Sequence, residues 1–392
     1  MTYFKTSWAA LGAAILVAAC GGGGDGNQSP KIKFTSMVNF GDSLSDVGTY
    51  KVGTVAALGG GKYTVNSASV KNWTEVLAVQ LGVSAPCPAQ TGLDGDPLQG
   101  FSVTVTNFSA CRNYAQGGAR VVHPVGPGNK LLGPPNSTLG QLTVPILTQI
   151  ANHLSVPAVG GSFAGTELVT VMAGANDLFI QFAVLNTLGT ANFSSYAQGI
   201  ALWTQGEVDT VNAALGSGGA NAGVAAAAPI LAAKMADAAT TLSTLVKTQI
   251  VAKGAKYTVV INMPNVSRTP FAVGLNSDAL TSIVSGMTLS FNSTLQTALS
   301  GTAGVKFADA YTNNTDQFNN PAQYGLTNVS VPACNLDPAA NPLSSSLVCS
   351  AANVITGDVS TYLFADSVHP TPYGYKLMAQ EVAKNLVAAG WL

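Results

Sequence analysis

The residues best suited to chemistry stand near the start of the chain, at residues 38–46, which read Val-Asn-Phe-Gly-Asp-Ser-Leu-Ser-Asp. This pattern predicts a short apolar strand that ends in a Gly-Asp-Ser turn, with a helix opening at Leu44. A serine in such a turn lies at the carboxyl edge of a sheet, beside helix N–H groups that favour developing negative charge. Ser43 is therefore a candidate nucleophile. The alternative is that Asp42 and Ser43 are ordinary helix caps.

A second chemical pair stands near the other end of the chain, where Asp366 and His369 precede a predicted helix. They are three residues apart on a loop before a helix that starts at a proline, so both side chains can face the sheet edge where Ser43 lies. The chain has three histidines. A structural role is the expectation for His123 and His153, whereas the nearby carboxylate favours a catalytic role for His369.

Two other strand ends supply groups that could bind a developing negative charge. Gly117 and Gly118 end a predicted strand, and paired glycines let a backbone N–H approach a ligand closely. Asn176 and Asp177 directly follow a buried-strand pattern. Taken alone, the glycines could form a simple turn, and Asn176 and Asp177 could cap a helix.

The elements that must position these groups alternate between strands and helices. Further strands are predicted at residues 102–108, 112–120, 167–174, 257–264 and 305–310, and helices at 72–82, 139–153, 278–299 and 373–389, with a mostly helical stretch over 179–253. Residues 83–100, 123–138 and 312–358 are predicted loops. This alternation indicates an α/β fold with a parallel sheet covered on both faces. We expect one domain with insertions, because neither a repeat nor a linker interrupts it.

The N-terminus has the layout of an export signal. Lys5 precedes an apolar run that is too short to span a bilayer comfortably, so residues 1–19 are predicted to be a signal peptide. Residues 17–20, Val-Ala-Ala-Cys, resemble the lipobox of bacterial lipoproteins, in which Cys20 would be lipidated and become the new N-terminus. Residues 20–35 would then be a flexible tether and residues 36–392 the folded domain. Gly21 suggests the outer membrane; a plain signal peptide and a secreted or periplasmic soluble protein are the alternative.

The composition agrees with export. Charged residues make up 9% of the chain, against roughly 25% in an average soluble domain, and the formal net charge is −1. This balance leaves no basic face for a nucleic acid. No stretch beyond the N-terminal run is long and apolar enough to predict a transmembrane helix.

The cysteines point to an oxidising compartment. If Cys20 carries lipid, four of the five cysteines remain, an even number that predicts disulfides. Four cysteines allow three pairings, and proximity in the sequence favours Cys87–Cys111 and Cys334–Cys349. A metal site is the competing interpretation, but the paired short spacings that zinc usually needs are missing.

The four motifs around the candidate residues occur in the same order as in a known family. Gly-Asp-Ser-Leu, the strand-end glycine pair, Gly-x-Asn-Asp and Asp-x-x-His follow one another as in the GDSL lipases and esterases of the SGNH hydrolase superfamily. The chain resembles that family over about residues 36–390. The resemblance implies a three-layer α/β/α sandwich with a central parallel, flavodoxin-like sheet, and it implies neither a metal nor an organic cofactor.

The resemblance also implies a role for each candidate residue. Ser43 would attack an ester carbonyl, His369 would take the proton and later pass it to the leaving alcohol, and Asp366 would orient the imidazole. An oxyanion hole would be formed by the N–H groups of Ser43 and Gly118 and the side-chain amide of Asn176. The sequence leaves open whether Gly117 supplies the N–H in place of Gly118.

The implied function is that of a carboxylic-ester hydrolase of lipase or esterase type, held at the cell envelope and acting on ester or lipid substrates. A phospholipase or lysophospholipase, a polysaccharide acetyl esterase and a polyester depolymerase are alternatives within the enzyme class. Outside it, a surface lipoprotein could keep the fold and bind a protein or glycan without catalysis. Acyl-chain length, head group and oligomeric state stay open.

Overall fold

Strands and helices alternate along the chain in a computed structural model that describes residues 32–392. The strands are β1 (Met37–Gly41), β2 (Gln90–Asp94), β3 (Ser102–Asn107), β4 (Leu168–Met172), β5 (Tyr257–Ile261) and β6 (Val305–Ala308). The helices are α1 (Gly53–Ala57), α2 (Trp73–Leu81), α3 (Asn136–Leu139), α4 (Ile146–Ser155), α5 (Ala175–Ala183), α6 (Phe193–Gly199), α7 (Gln205–Leu245), α8 (Pro270–Val273), α9 (Asp278–Leu299), α10 (Ala310–Asn319) and α11 (Pro372–Ala388). The proposed signal peptide, Cys20 and most of the tether lie outside the described residues.

The central sheet is parallel, with the strand order β1-β4-β5-β6. Its side chains alternate between two apolar cores, because successive residues of a strand point to opposite faces. In β4, for example, Val169 and Val171 enter one core and Leu168 and Met172 the other. Helices α4, α5, α7 and α9 contribute to the first core, and α2 and α11 to the second. The predicted three-layer α/β/α sandwich is confirmed.

A separate antiparallel hairpin lies outside this sheet. The strand predicted at residues 102–108 forms as β3, but it pairs with β2, which occupies a predicted loop. The disulfide Cys87–Cys111 joins the two ends of the hairpin, and a second disulfide joins Cys334 to Cys349. Both are the pairings that sequence proximity favours.

Three local predictions were wrong. Residues 112–120 form no regular strand: the N–H groups of Tyr114 and Gln116 donate to the edge of β1, and the chain then turns away. The helix predicted from residue 139 begins only at Ile146, because Pro145 cannot continue a helix on its N-terminal side. Helix α10 occupies the start of a predicted loop.

Helix α7 folds back on itself at Gly219, whose backbone is non-helical (φ 70°, ψ −161°). Lys234 Nζ lies 2.9 Å from Glu207 Oε2, although a straight helix would separate these residues by about 40 Å. By length and composition, Gln205–Lys253 is the one segment of the described chain that could cross a membrane, contrary to the sequence prediction. In the fold its apolar stripe, including Leu231 and Met235, is buried in the core beside α9.

Candidate active site

Ser43 lies in a tight turn directly after β1. The Asp42 carboxylate accepts the Leu44 N–H at 3.0 Å, and the Asp46 carboxylate accepts the N–H groups of Gly48 and Thr49 at 2.8 Å each. These bonds close the turn without a helix: the helix predicted to open at Leu44 is absent, and the next helix begins at Gly53. The interpretation of Asp42 and Ser43 as helix caps is therefore wrong.

His369 links Ser43 to Asp366. Its Nε2 lies 2.8 Å from Ser43 Oγ, and its Nδ1 lies 2.9 and 2.8 Å from the two oxygens of Asp366. The serine and the histidine are 326 residues apart in the chain, and the fold brings them within hydrogen-bonding distance. The hydroxyl can thus donate to Nε2 while the ring donates from Nδ1 to the carboxylate.

The Asp366 carboxylate is buried and fully bonded. It accepts the backbone N–H groups of Ser346 at 3.0 Å, Val368 at 3.0 Å and His369 at 2.8 Å. Burial raises the pKa of Asp366, but the adjacent His369 ring and the hydrogen bonds outweigh it and hold the pKa below its usual range. The carboxylate is therefore charged where it can stabilise an imidazolium.

The candidate oxyanion donors converge beside Ser43. Ser43, Gly118 and Asn176 line one cavity. Within residues 32–392, no acceptor pairs with the backbone N–H of Ser43 or of Gly118. The Asn176 amide donates to the Ala119 carbonyl at 2.9 Å, which leaves its second N–H for a ligand. The Gly117 N–H donates to the Asp46 carboxylate at 3.0 Å, so Gly118 has the available donor of the glycine pair.

Asn176 and Asp177 are not helix caps. Gly174 occupies the cap position of α5, and no side chain caps that helix end. Asp177 binds the segment that carries Gly118, because its carboxylate accepts Arg120 Nε at 3.1 Å and the Val121 N–H at 3.0 Å. Arg120 belongs to none of the motifs in the sequence; it is buried at 2% exposure and also donates to the Ile200 carbonyl at 2.7 Å.

Burial also shifts the pKa of a second carboxyl group, that of Asp42, which directly precedes Ser43. Desolvation raises the pKa of Asp42 to about 7, against the lowering effects of the Leu44 N–H and the His369 ring. Asp42 is therefore partly protonated near neutral pH, while Asp366 stays charged. The pKa values of the two acids differ because Asp366 accepts three backbone N–H groups and a hydrogen bond from the His369 ring, whereas Asp42 accepts the Leu44 N–H and feels that ring only through its charge.

The other two histidines lie away from Ser43. The Nδ1 atom of His123 accepts the Val125 N–H at 3.1 Å. His153 is buried between aromatic rings, including Phe40 and Phe163, and burial lowers its pKa to about 4. Both placements agree with the structural role expected for them.

Two residues near the triad carry no signal in the sequence. The Tyr63 ring packs against the His369 ring, with centroids 4.7 Å apart and planes at 33°. The Ser346 N–H binds Asp366, as described above. Tyr63 acts across about 300 residues and Ser346 through its backbone alone, so no motif in the sequence could have identified either.

A cavity of about 740 Å³ opens beside Ser43. Most of its wall is apolar, and it includes Leu44, Leu139, Phe179, Val266, Phe271 and Leu343. Phe179 lies one helical turn after Asn176 and packs edge-on against Phe271, with ring centroids 5.2 Å apart. The candidate oxyanion donors thus line the same cavity as this apolar wall. Among residues 32–392, no group of three or more His, Cys, Asp or Glu side chains could hold a metal ion.

A parallel α/β sheet with a hydrogen-bonded serine, histidine and aspartate at its carboxyl edge has the architecture of a serine hydrolase. The model of one protein family, described as GDSL-like lipase/acylhydrolase, matches residues 37–382. The chain therefore belongs to the GDSL-like lipase/acylhydrolase family, and the resemblance inferred from its motifs is confirmed. The bacterial lipoprotein form stays a prediction.

Curated relatives match over shorter stretches. Two GDSL esterase/lipases of Arabidopsis thaliana are each 31% identical, over 106 and 83 residues. These alignments cover 24% and 21% of this chain, and 24% and 22% of the relatives, so they span about a quarter of the relatives' length.

Solved structures align with most of the chain at low sequence identity. An acetylxylan esterase of Geobacillus stearothermophilus aligns with a TM-score of 0.39 at 11% identity, covering 91% of this chain and 96% of its own. An extracellular lipase of Streptomyces rimosus aligns with a TM-score of 0.37 at 16% identity, covering 90% and 99%.

Proposed function

We propose that this protein hydrolyses carboxylic esters through a serine-histidine-aspartate triad and a covalent acyl-enzyme intermediate. The observation that carries the proposal is the unbroken chain of hydrogen bonds from Ser43 Oγ through His369 to Asp366. Membership of the lipase/acylhydrolase family supports the same reaction class.

The geometry supports the following acylation step. Ser43 Oγ attacks the ester carbonyl carbon and gives its proton to His369 Nε2, while Asp366 stabilises the imidazolium that forms. The carbonyl oxygen becomes negative and binds the N–H groups of Ser43 and Gly118 and the Asn176 amide. The tetrahedral intermediate then expels the alcohol, which takes the proton from His369, and the acyl group stays on Ser43.

Deacylation repeats the same chemistry with water. His369 removes a proton from a water molecule as its oxygen attacks the acyl carbon. The bond to Ser43 Oγ then breaks, the serine recovers the proton from the imidazolium, and the carboxylic acid leaves. His369 Nε2, which lies 2.8 Å from Ser43 Oγ, accepts and returns each proton, so the cycle needs no second acid or base.

For the substrate, we favour esters with an apolar acyl chain. A cavity of about 740 Å³ lies within the range that encloses a drug-sized ligand. An acetyl group would leave most of that space empty and its apolar wall without contacts, whereas a longer chain would cover it. The wall beside Asn176, formed by Phe179 and Phe271, carries this preference.

A substrate panel tests this preference. We would measure kcat/KM for p-nitrophenyl esters of rising acyl length, beside phosphatidylcholine and acetylated xylan. The proposal expects kcat/KM to rise from acetyl towards longer chains. A maximum at acetyl, with release of acetate from xylan, would instead make the protein a polysaccharide acetyl esterase, and release of fatty acid from phosphatidylcholine alone would make it a phospholipase.

For the location, we propose an exported lipoprotein of the cell envelope, most simply of the outer membrane. The motif at residues 17–20 and the two disulfides support it, because disulfides persist in oxidising compartments. Cells fed a radiolabelled fatty acid should label the wild-type protein and not Cys20→Ser. Labelling of neither would favour a soluble exported protein, and equal labelling of both would place the fatty acid on a residue other than Cys20; either result would contradict lipidation at Cys20.

A further inference from the structure

We propose that Tyr63 is a positioning residue for the catalytic histidine, held in place by a two-loop unit that also holds the catalytic aspartate. We call this unit the brace and define it as residues 60–66 together with residues 345–349. The inference rests on the proposed function, because it concerns how the triad is kept in its reactive geometry.

The Tyr63 ring is clamped between the histidine and the glycine turn. It is 4% exposed and lies against the His369 ring, with centroids 4.7 Å apart. A Cβ added to Gly117 would come within 2.0 Å of the Tyr63 hydroxyl, so the glycine leaves room for the tyrosine. The hydroxyl is buried and has no hydrogen-bond partner in the described part of the chain. The Tyr63 ring is therefore held by packing and not by a hydrogen bond from its hydroxyl.

Asn66 joins the two loops of the brace. Its side-chain nitrogen lies 3.0 Å from the carbonyl oxygens of Ser346 and Cys349 and 2.9 and 3.0 Å from those of Lys62 and Thr64 in its own loop, so its two N–H groups are shared among these acceptors. Its backbone N–H donates to the Cys349 carbonyl at 2.7 Å. Its side-chain oxygen accepts the Lys62 N–H at 3.0 Å. In addition, the Gly61 N–H donates to the Leu347 carbonyl at 2.9 Å. The loop with Tyr63 and the loop with Ser346 thus form one hydrogen-bonded unit.

The brace contacts both triad members that must keep a fixed orientation. Its first loop places the Tyr63 ring on the His369 ring, and its second places the Ser346 N–H 3.0 Å from Asp366 Oδ2. The disulfide from Cys349 to Cys334 ties the second loop to the backbone next to Asp366, because the Cys334 N–H donates to the Ala365 carbonyl at 2.9 Å. A shift of the brace would therefore move the histidine and the aspartate together.

The brace matters because the reaction requires the catalytic side chains to be held in accurate positions. A catalytic group must be held within about 0.5 Å of its productive position, and the side chains that support it must themselves be locked by packing. A flat ring against the imidazole restricts its rotation between Ser43 and Asp366. The same aromatic face attracts the imidazolium that forms during the reaction, when the ring becomes a cation.

The test compares Tyr63→Leu, which removes the ring, with Tyr63→Phe, which keeps the ring and removes the unpaired hydroxyl. Tyr257→Leu is the matched control. It loses two edge-on aromatic contacts, at 5.4 and 5.2 Å, at the opposite edge of the sheet from Ser43. For each protein we would measure kcat and KM on a p-nitrophenyl ester, the rate of Ser43 labelling by a fluorophosphonate, and folding by circular dichroism.

We expect Tyr63→Leu to lower kcat and the labelling rate about 10-fold or more, with KM within about twofold, since misplacement by 1 Å can cost about 100-fold. Tyr63→Phe should keep most of both rates, and Tyr257→Leu should lose only stability. If Tyr63→Leu fails to fold, Tyr63→Met replaces it, because methionine fills irregular space without a ring.

Three results would overturn the inference. Unchanged kcat in a folded Tyr63→Leu protein would show that the ring positions nothing. A change confined to KM would make Tyr63 a substrate contact, and an equal loss in Tyr63→Phe would assign the role to the hydroxyl. A wild-type protein that neither hydrolyses esters nor reacts with the fluorophosphonate would refute the proposed function instead, which is a distinguishable outcome.

Discussion

Replacing Asn176 by alanine tests the oxyanion hole most sharply, because the structure predicts two separate consequences. The side-chain amide has one N–H bonded to the Ala119 carbonyl and a second available to the reacting oxygen. Losing the second should lower kcat about 10²–10³-fold, the cost of one oxyanion donor, or roughly 2.7–4 kcal/mol. Since the contact strengthens only in the transition state, kcat and kcat/KM should fall together.

Loss of the N–H that bonds the Ala119 carbonyl should separately lower the stability of Asn176→Ala. Asn176 is buried at 5% exposure, and its removal leaves the Ala119 carbonyl unpaired, which costs about 1–3 kcal/mol. Asn292 is the matched control: it is 6% exposed, and its amide donates to the Met263 carbonyl at the same 2.9 Å. Asn292→Ala should be destabilised at least as much while keeping kcat, because the Asn292 side-chain oxygen also accepts the Met263 N–H at 2.9 Å.

The assay is steady-state hydrolysis of one p-nitrophenyl ester by wild type and both variants, beside urea unfolding of each. If Asn176→Ala loses less than threefold in kcat, or if Asn292→Ala loses as much kcat as Asn176→Ala, the amide is structural and the oxyanion assignment is wrong.

Two further predictions concern the disulfides and pH. Replacing Cys334 and Cys349 by serine should lower kcat severalfold, because that disulfide holds the brace. Replacing Cys87 and Cys111 should lower stability alone. Equal effects of the two double substitutions on kcat would show that the Cys334–Cys349 disulfide does not support the triad. His153, with a pKa lowered to about 4 by burial, binds a proton more weakly when folded than when unfolded. The free energy of unfolding that His153 contributes is therefore fully present above pH 6.5 and falls by up to about 3 kcal/mol as the pH falls towards 4. Urea unfolding from pH 7 to 4 should therefore show a smaller loss in His153→Gln than in wild type, and parallel curves would contradict this.

The fold could be predicted because its signals are local. Strands β4 and β5 are apolar apart from one threonine each, as expected for parallel strands buried on both faces. Helix α2 begins at Asn72, whose side chain caps it, and ends at Gly82 in the left-handed conformation. Asp366 and His369 are three residues apart, so their contact is also local.

What the sequence could not reveal depends on contacts between distant segments. The choice between Gly117 and Gly118 is decided by Asp46, 71 residues earlier, which accepts the Gly117 N–H. The reversal of α7 at Gly219, by contrast, has a local signal: residues 216–219 read Gly-Ser-Gly-Gly, which is typical of a turn, although the surrounding stretch is helical and rich in alanine. The brace joins residues about 280 positions apart, through bonds from one asparagine.

Labelling with a fluorophosphonate, followed by mass spectrometry of the labelled peptide, shows directly whether Ser43 is the nucleophile. We expect one adduct on Ser43, no adduct and no ester hydrolysis in Ser43→Ala, and an unchanged fold of that variant by circular dichroism. An adduct on another residue, or hydrolysis that persists in Ser43→Ala, would contradict it.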